Sequence, residues 1–197
     1  MKPERARKML QEITVEELNG EITRRRYDKD FRTVMRHVIY TMVVVAAFAA
    51  LVAVLLLPVL RIYGHSMSAT LDEGDIVVSV KGSDFAVGDV ISFYYNNKLL
   101  VKRVIGNPGD WIDIDRKGNV YVNQKLLDEP YLDEKAFGDC NIELPYQVPE
   151  SRIFVMGDNR DTSVDSRNTS VGCVYEEQIV GKIVFRIWPL DRIGQVK

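Results

Sequence analysis

The chain has 197 residues, of which 46% are hydrophobic, with two cysteines, two histidines and a formal net charge of −2. This length suits one sizeable domain plus appendages and excludes a long multidomain array. The hydrophobic content is ordinary for a globular protein, but its distribution is not.

Residues 1–36 carry ten Lys/Arg and seven Asp/Glu, net +3, and mix charge with isolated apolar positions. Part of this segment, roughly residues 15–26, has the pattern of an amphipathic helix, and the remainder reads as disordered; no catalytic motif falls in it. Residues 38–60, VIYTMVVVAAFAALVAVLLLPVL, then run for 23 positions without a charge. As a helix this run reaches roughly 35 Å, against about 30 Å for the hydrocarbon core of a bilayer. A soluble core helix of that length would carry a polar stripe. A cleavable signal peptide would have a shorter leader and an apolar region of about 7–15 residues. The single A-x-A-like string, Ala47-Phe48-Ala49, lies in the middle of the run. The expected division is a cytoplasmic segment 1–36, a transmembrane helix 37–60 and an extracytoplasmic domain 61–197.

The flanks set the orientation. Arg24, Arg25, Arg26, Lys29, Arg32 and Arg36 crowd the N-terminal side, whereas Arg61 is followed by no basic residue until Lys81. The positive-inside rule therefore places the N-terminus in the cytoplasm. Residues 61–197 hold sixteen basic and twenty-one acidic residues, net −5, which argues against nucleic acid as a partner. Both cysteines, Cys140 and Cys173, fall in this part. An extracytoplasmic compartment permits a disulfide, but two cysteines do not establish one, and two semi-buried thiols fit equally well.

Beyond the apolar run the period changes to that of strands. Residues 75–80, 89–95, 99–105, 111–115, 119–122, 152–156 and 179–188 are short, rich in β-branched and aromatic residues, and separated by turn signals such as Asn107-Pro108-Gly109 and Lys117-Gly118-Asn119. No long helix interrupts them, which predicts a mainly β catalytic domain, an antiparallel β-barrel or sandwich, behind one N-terminal transmembrane helix. Residues 126–150 are polar and contain proline, and read as a long loop or small subdomain.

Ser66, in YGHSMSATLDEGD (residues 63–75), follows the apolar run closely and invites the question of whether it is a nucleophile. Of the two histidines, His37 sits at the far end of the membrane segment and His65 is adjacent to Ser66. Neighbouring side chains on extended backbone point to opposite faces, so the inventory all but excludes a Ser-His-Asp triad. Lysine is the known alternative base for serine, provided desolvation lowers its pKa. Two ectodomain lysines lie inside apolar strands: Lys102 in LLVKRVI and Lys182 in IVGKIVF. Periodicity does not choose between them.

A third cluster, GDNRDTSVDSR at residues 157–167, crowds acids, arginines and serines together. It fails as an EF-hand calcium loop, because position three from Asp158 is Arg160 and position six is Ser163 rather than Gly. Two readings fit: a charge-rich surface loop, or a buried ion-pair network built from Asp158, Asp165, Arg160 and Arg167.

Together the three stretches resemble the bacterial type I signal peptidases, membrane-anchored Ser-Lys proteases, in a Gram-positive-like form. The family's serine motif resembles Gly64-His65-Ser66-Met67-Ser68-Ala69-Thr70-Leu71, its lysine motif Lys102-Arg103-Val104-Ile105-Gly106 with Pro108-Gly109-Asp110, and its third motif residues 157–167. Agreement continues through VYVNQKLLDEPYL (120–132) and GKIVFRIWPLDRIG (181–194). The resemblance implies Ser66 as nucleophile, Lys102 as general base and Lys182 as an ordinary strand lysine. It implies that Ser163 orients the lysine, and that Asp158, Asp165 and Arg167 hold the shape of the site. The Ser66 backbone N–H would serve the oxyanion hole; the position two residues earlier is Gly64, so a second hydroxyl donor is missing there. The implied substrates are secretory preproteins delivered by the export translocon and cut after an Ala-x-Ala type site. The membrane lipid is the other implied partner, and neither a metal nor an organic cofactor is called for.

Two positions depart from the family. Thr162 replaces an asparagine, and Ala69 stands where proline would fix φ near −65°. Alanine adopts that angle without enforcing it, so a looser turn costing up to about 1 kcal/mol is expected. Two rival classes remain: a soluble self-cleaving Ser-Lys repressor, opposed by the membrane segment, and a non-catalytic accessory of pilin assembly, opposed by the presence of both Ser66 and Lys102.

Overall fold

The computed structural model of the chain describes residues 15–82 and 84–196. Residues 1–14 of the N-terminal segment lie outside the described residues. The chain divides into two compact units, the first ending at Val52 and the second beginning at Ala53.

Helix α1, Val15–Leu56, makes up the described part of the first unit and ends four residues into the second; it has no buried residue. It is one helix long and apolar enough to cross a membrane. The helix takes in the stretch over residues 15–26 expected to be helical and continues into the apolar run. It stops at Leu56, short of the expected residue 60, because Pro58 has no N–H to continue the ladder, the last bond being Leu57 N to Ala53 O at 2.8 Å. The end of the apolar run instead forms strand β1, Val59–Arg61.

Among its described residues the second unit contains the seven expected strands and five others of two or three residues each. β2 (Ile76–Val80), β3 (Val90–Tyr95), β4 (Lys98–Gly106), β9 (Arg152–Met156), β10 (Val174–Tyr175) and β11 (Ile179–Trp188) join β1 in one sheet, in the order β1-β2-β11-β3-β4-β9-β10, with β12 (Gly194–Gln195) on β11. A smaller sheet has the order β7-β6-β5-β8, from β5 (Trp111–Ile114), β6 (Val120–Val122), β7 (Lys125–Leu126) and β8 (Tyr146–Gln147). Each pairing is antiparallel. The β3–β4 hairpin turns at Asn96-Asn97, with φ of 45° and 59°. Asparagine tolerates this left-handed region, and a two-residue turn of that hand matches the twist of the strands.

Three apolar clusters fill the unit. Ile105, Ile112, Ile114, Val120, Phe154 and Met156 are contributed by both sheets and join them. Ile91, Phe93, Val104, Ile153, Val155 and Val174 form a second. Ile62, Met67, Leu71, Val77, Val90 and Ile183 form a third, which underlies the turn carrying Ser66. The region 126–150 is mostly irregular but contributes β8 to the small sheet. Both cysteines are free. Cys173 is buried in the joining cluster, and desolvation pushes its thiol up to about 11.

Candidate active site

Ser66 sits in a short turn after β1. Ser68 N donates to His65 O (3.1 Å), and Leu71 N donates to Met67 O (2.7 Å). Met67 and Leu71 are fully buried and pin this turn to the core, which leaves Ser66 half-buried at its rim. His65 points elsewhere: it is exposed, with Nε2 3.3 Å from Glu73 Oε2.

The third motif packs directly on the turn. Asn159 N donates to Ser66 O (3.1 Å). Gly157 makes the approach: a Cβ there would come within 3 Å of both Ser66 O and Ser163 Oγ. Any larger residue would push the two serines apart.

Lys102 lies on β4 and is 4% exposed. Its Nζ donates to Ser163 Oγ (3.0 Å), and Ser163 is buried as well. Burial lowers the lysine to about 8 from its ordinary 10.5; Asp165 and Asp158 oppose that shift and Arg167 adds to it. Ser66 and Lys102 line one cavity of about 550 Å³, together with residues 59–64 and 98–101. They share its wall without a hydrogen bond between Ser66 Oγ and Lys102 Nζ. Lys182 is a different case, exposed over 30% of its side chain and paired with Asp89 Oδ2 at 2.8 Å.

The cluster at 157–167 is a buried network, not a surface loop. Arg167 clamps Asp165 with two bonds of 2.9 Å, and Asp165 Oδ2 accepts Gly157 N (2.9 Å). Arg167 also donates to Phe137 O (2.8 Å), tying the 126–150 region to the site. Asp158 does not pair within its own loop. It is clamped by Arg103 of β4, at 2.8 Å from Nε and 2.6 Å from Nη2. The same guanidinium reaches Gly88 O and Thr70 Oγ1 and stacks 3.7 Å from the centroid of the Tyr131 ring. Arg160 pairs with buried Glu129, whose second oxygen lies 3.7 Å from Lys135 Nζ.

Sequence reasoning assigned no role to Arg103, Glu129 or Tyr131. For Arg103 a signal existed: an arginine inside the apolar strand LLVKRVI requires a carboxylate partner if it is buried. Glu129 and Tyr131, in a polar irregular stretch, carried none.

The expectation for Ala69 is overturned. Its φ is +92°, not near −65°. The turn after Ser66 therefore uses a backbone angle that proline cannot adopt and that costs an L-residue about 1–2 kcal/mol.

Residues 35–188 match the family described as signal peptidase, peptidase S26. A signal peptidase IB of Staphylococcus aureus (strain COL) is 39% identical over 150 residues, covering 66% of this chain and 77% of that protein. A signal peptidase I of Bacillus caldolyticus is 41% identical over 148 residues, covering 66% and 79%. A crystal structure of a signal peptidase I from Enterococcus faecalis V583 aligns at 28% identity with a TM-score of 0.44, over 51% of this chain and 97% of that one.

Proposed function

The chain belongs to the signal peptidases of family S26, membrane-anchored serine endopeptidases that act on secretory preproteins, and from that premise we propose that Ser66 and Lys102 form its catalytic dyad. The observation that carries this reading is the state of Lys102. It is buried, lowered to about 8, bonded to Ser163 and exposed to the cavity that Ser66 lines. A base tuned toward the operating pH is what serine activation requires.

The signal peptide enters extended. β1 is an edge of the large sheet, and β9 pairs only with the second half of β4, which leaves the edge at residues 98–101 open. Both edges border the cavity, so substrate main chain adds as a strand. Small residues at the first and third positions before the cut fit beside the apolar wall formed by Ile62, Met67 and Leu100.

Neutral Lys102 takes the proton of Ser66 Oγ as the oxygen attacks the scissile carbonyl. The Ser66 N–H donates to the developing oxyanion. The lysine ammonium returns its proton to the leaving amine, the peptide C–N bond breaks, and an ester links Ser66 to the signal peptide. Water, deprotonated by the same lysine, attacks the ester and restores the serine. Ser163 orients the amine, and the Arg103–Asp158 and Arg167–Asp165 pairs hold the elements together.

The basic flank at residues 24–36 supports a cytoplasmic N-terminus, with the domain from residue 61 outside, on the side where exported preproteins emerge. The test is cleavage of an Ala-x-Ala preprotein by the reconstituted full chain. Cutting after the second alanine, lost in Ser66→Ala, is expected; a folded parent chain that leaves the preprotein intact would overturn the assignment.

A further inference from the structure

Cleavage chemistry makes no use of the helical segment that precedes the apolar run. Arg25, Lys29, Arg32 and Arg36 are spaced four, three and four residues apart, which puts them on one face of α1. They line a single shallow cleft with Asp28 and Thr33. All four cations are exposed, and Tyr27, Phe31 and Val34 occupy the opposite face. Thr33 Oγ1 is turned onto Lys29 O (2.9 Å), so the cleft is lined by cationic donors and one carboxylate, Asp28. Arg25 is taken up by Glu21 at 2.9 Å. Lys29, Arg32 and Arg36 form no ion pair with any described residue.

The acids are sorted along the same helix. Glu16, Glu17 and Glu21 lie in its first part, whereas residues 29–36 hold three cations and one carboxylate, Asp30, a net of +2. The uncharged run starts at Val38, two residues after Arg36.

We propose that this face binds the phosphate headgroups of anionic phospholipids in the leaflet at the N-terminal end of the anchor. The proposal rests on α1 being the membrane anchor. At about 1.5 Å per residue, Arg36, Arg32, Lys29 and Arg25 stand about 3, 9, 14 and 20 Å outside the start of the apolar run. The headgroup layer is about 5–8 Å thick on each side, and charges act over a further ~8 Å at physiological salt. Arg36 and Arg32 therefore lie within reach of lipid phosphate, Lys29 stands at the margin, and Arg25 is both too far out and neutralised. A soluble polyanion would show no such gradation, because it would meet all four residues alike.

The test uses the full chain reconstituted in phosphatidylcholine vesicles containing spin-labelled phosphatidylglycerol or spin-labelled phosphatidylcholine, with the relative association of the two labels read at low and high salt. A basic residue near an anionic surface is worth about 1 kcal/mol, a preference of about fivefold. The parent chain is expected to prefer phosphatidylglycerol at least fivefold at low salt and to lose that preference at high salt. Arg32→Gln with Arg36→Gln should remove most of it, and Arg25→Gln little. Equal association of the two lipids with the parent chain would overturn the proposal, as would Arg25→Gln matching the double variant. Abolition of the preference by millimolar inorganic phosphate at constant ionic strength would also overturn it, by showing a free-anion site. A chain that does not enter phosphatidylcholine vesicles at all would instead refute the anchor itself.

Discussion

Ile91 of β3 stands between two lysines. Lys102 of β4 pairs with it on one side and Lys182 of β11 on the other, in the same register. Both lie in apolar strands, Lys102 between Val101 and Arg103 and Lys182 between Gly181 and Ile183. Their surroundings differ in two ways. Lys182 keeps contact with water and has a carboxylate of its own, Asp89. Lys102 is enclosed, and the two carboxylates nearest in charge, Asp158 and Asp165, are each held by an arginine. With those charges offset, desolvation dominates and the amine drops to about 8. A strand lysine loses its proton more easily when water is removed and neighbouring carboxylates are already claimed.

The strongest way to break this comparison is to delete both amines in turn. Lys102→Met should lower kcat/KM on an Ala-x-Ala preprotein by on the order of 10³-fold or more, as loss of a general base does. Lys182→Met should leave cleavage within a few-fold of the parent. Equal losses would remove the distinction. In the parent, kcat/KM should rise with pH through about 8, because in the proposed dyad only the neutral amine accepts the serine proton.

Next in size is the removal of a claimed carboxylate's partner. Arg167→Met leaves Asp165 buried and unpaired, a loss of about 3–5 kcal/mol of stability, read as a fall in the denaturation midpoint of the detergent-solubilised chain. It also takes away a cation that lowers Lys102 and frees an anion that raises it. The pH-rate midpoint should therefore move above 8, making Lys102 more like a solvated lysine. A melt that falls while the midpoint stays fixed would show that the ion pair shapes the site without tuning the base.

The same depression has a thermodynamic consequence. The folded-state pKa of Lys102 lies near 8 and the unfolded value near 10.5. Below pH 8 both states are protonated, and burying the ammonium costs on the order of 3 kcal/mol. Between pH 8 and 10.5 the folded chain gives up its proton first, the unfolded chain binds more, and stability rises. Lys102→Met should thus be more stable than the parent at pH 7, with the gain shrinking across that window. Denaturant melts at several pH values measure it, and a pH-independent difference would contradict the burial argument.

Much of this arrangement was legible in the chain. The seven expected strands announce themselves because each has the strand period between turn residues. Ser66 and Lys102 stand out because no histidine can serve and because the three motifs occur in order; the fold then brings them to one cavity. What stayed hidden is long-range pairing. Asp158 finds Arg103, 55 residues away, and Arg160 finds Glu129, 31 residues away. No local pattern encodes such partners. β1 was hidden for another reason: its residues are as apolar as the helix before them, and only Pro58 marks the change.

The smallest effect concerns the turn that carries Ser66. The comparison there is between Gly64 and Ala69, which flank Ser66 and both have φ in the left-handed region, +81° and +92°. Glycine adopts such angles freely, whereas alanine is strained by about 1–2 kcal/mol, part of which a more flexible unfolded chain offsets. Ala69→Gly should therefore raise stability by a few tenths to about 1 kcal/mol. Ala69→Pro should lower it, because the pyrrolidine ring holds φ near −65° and the turn must rearrange. Cleavage tracks the same geometry: the turn fixes Ser66 through Met67 and Leu71, so the proline variant should lose kcat more than it raises KM. A proline variant as stable and as active as the parent would mean that residue 69 adopts the family's backbone angle in the working enzyme, and that the strain sits elsewhere in the turn.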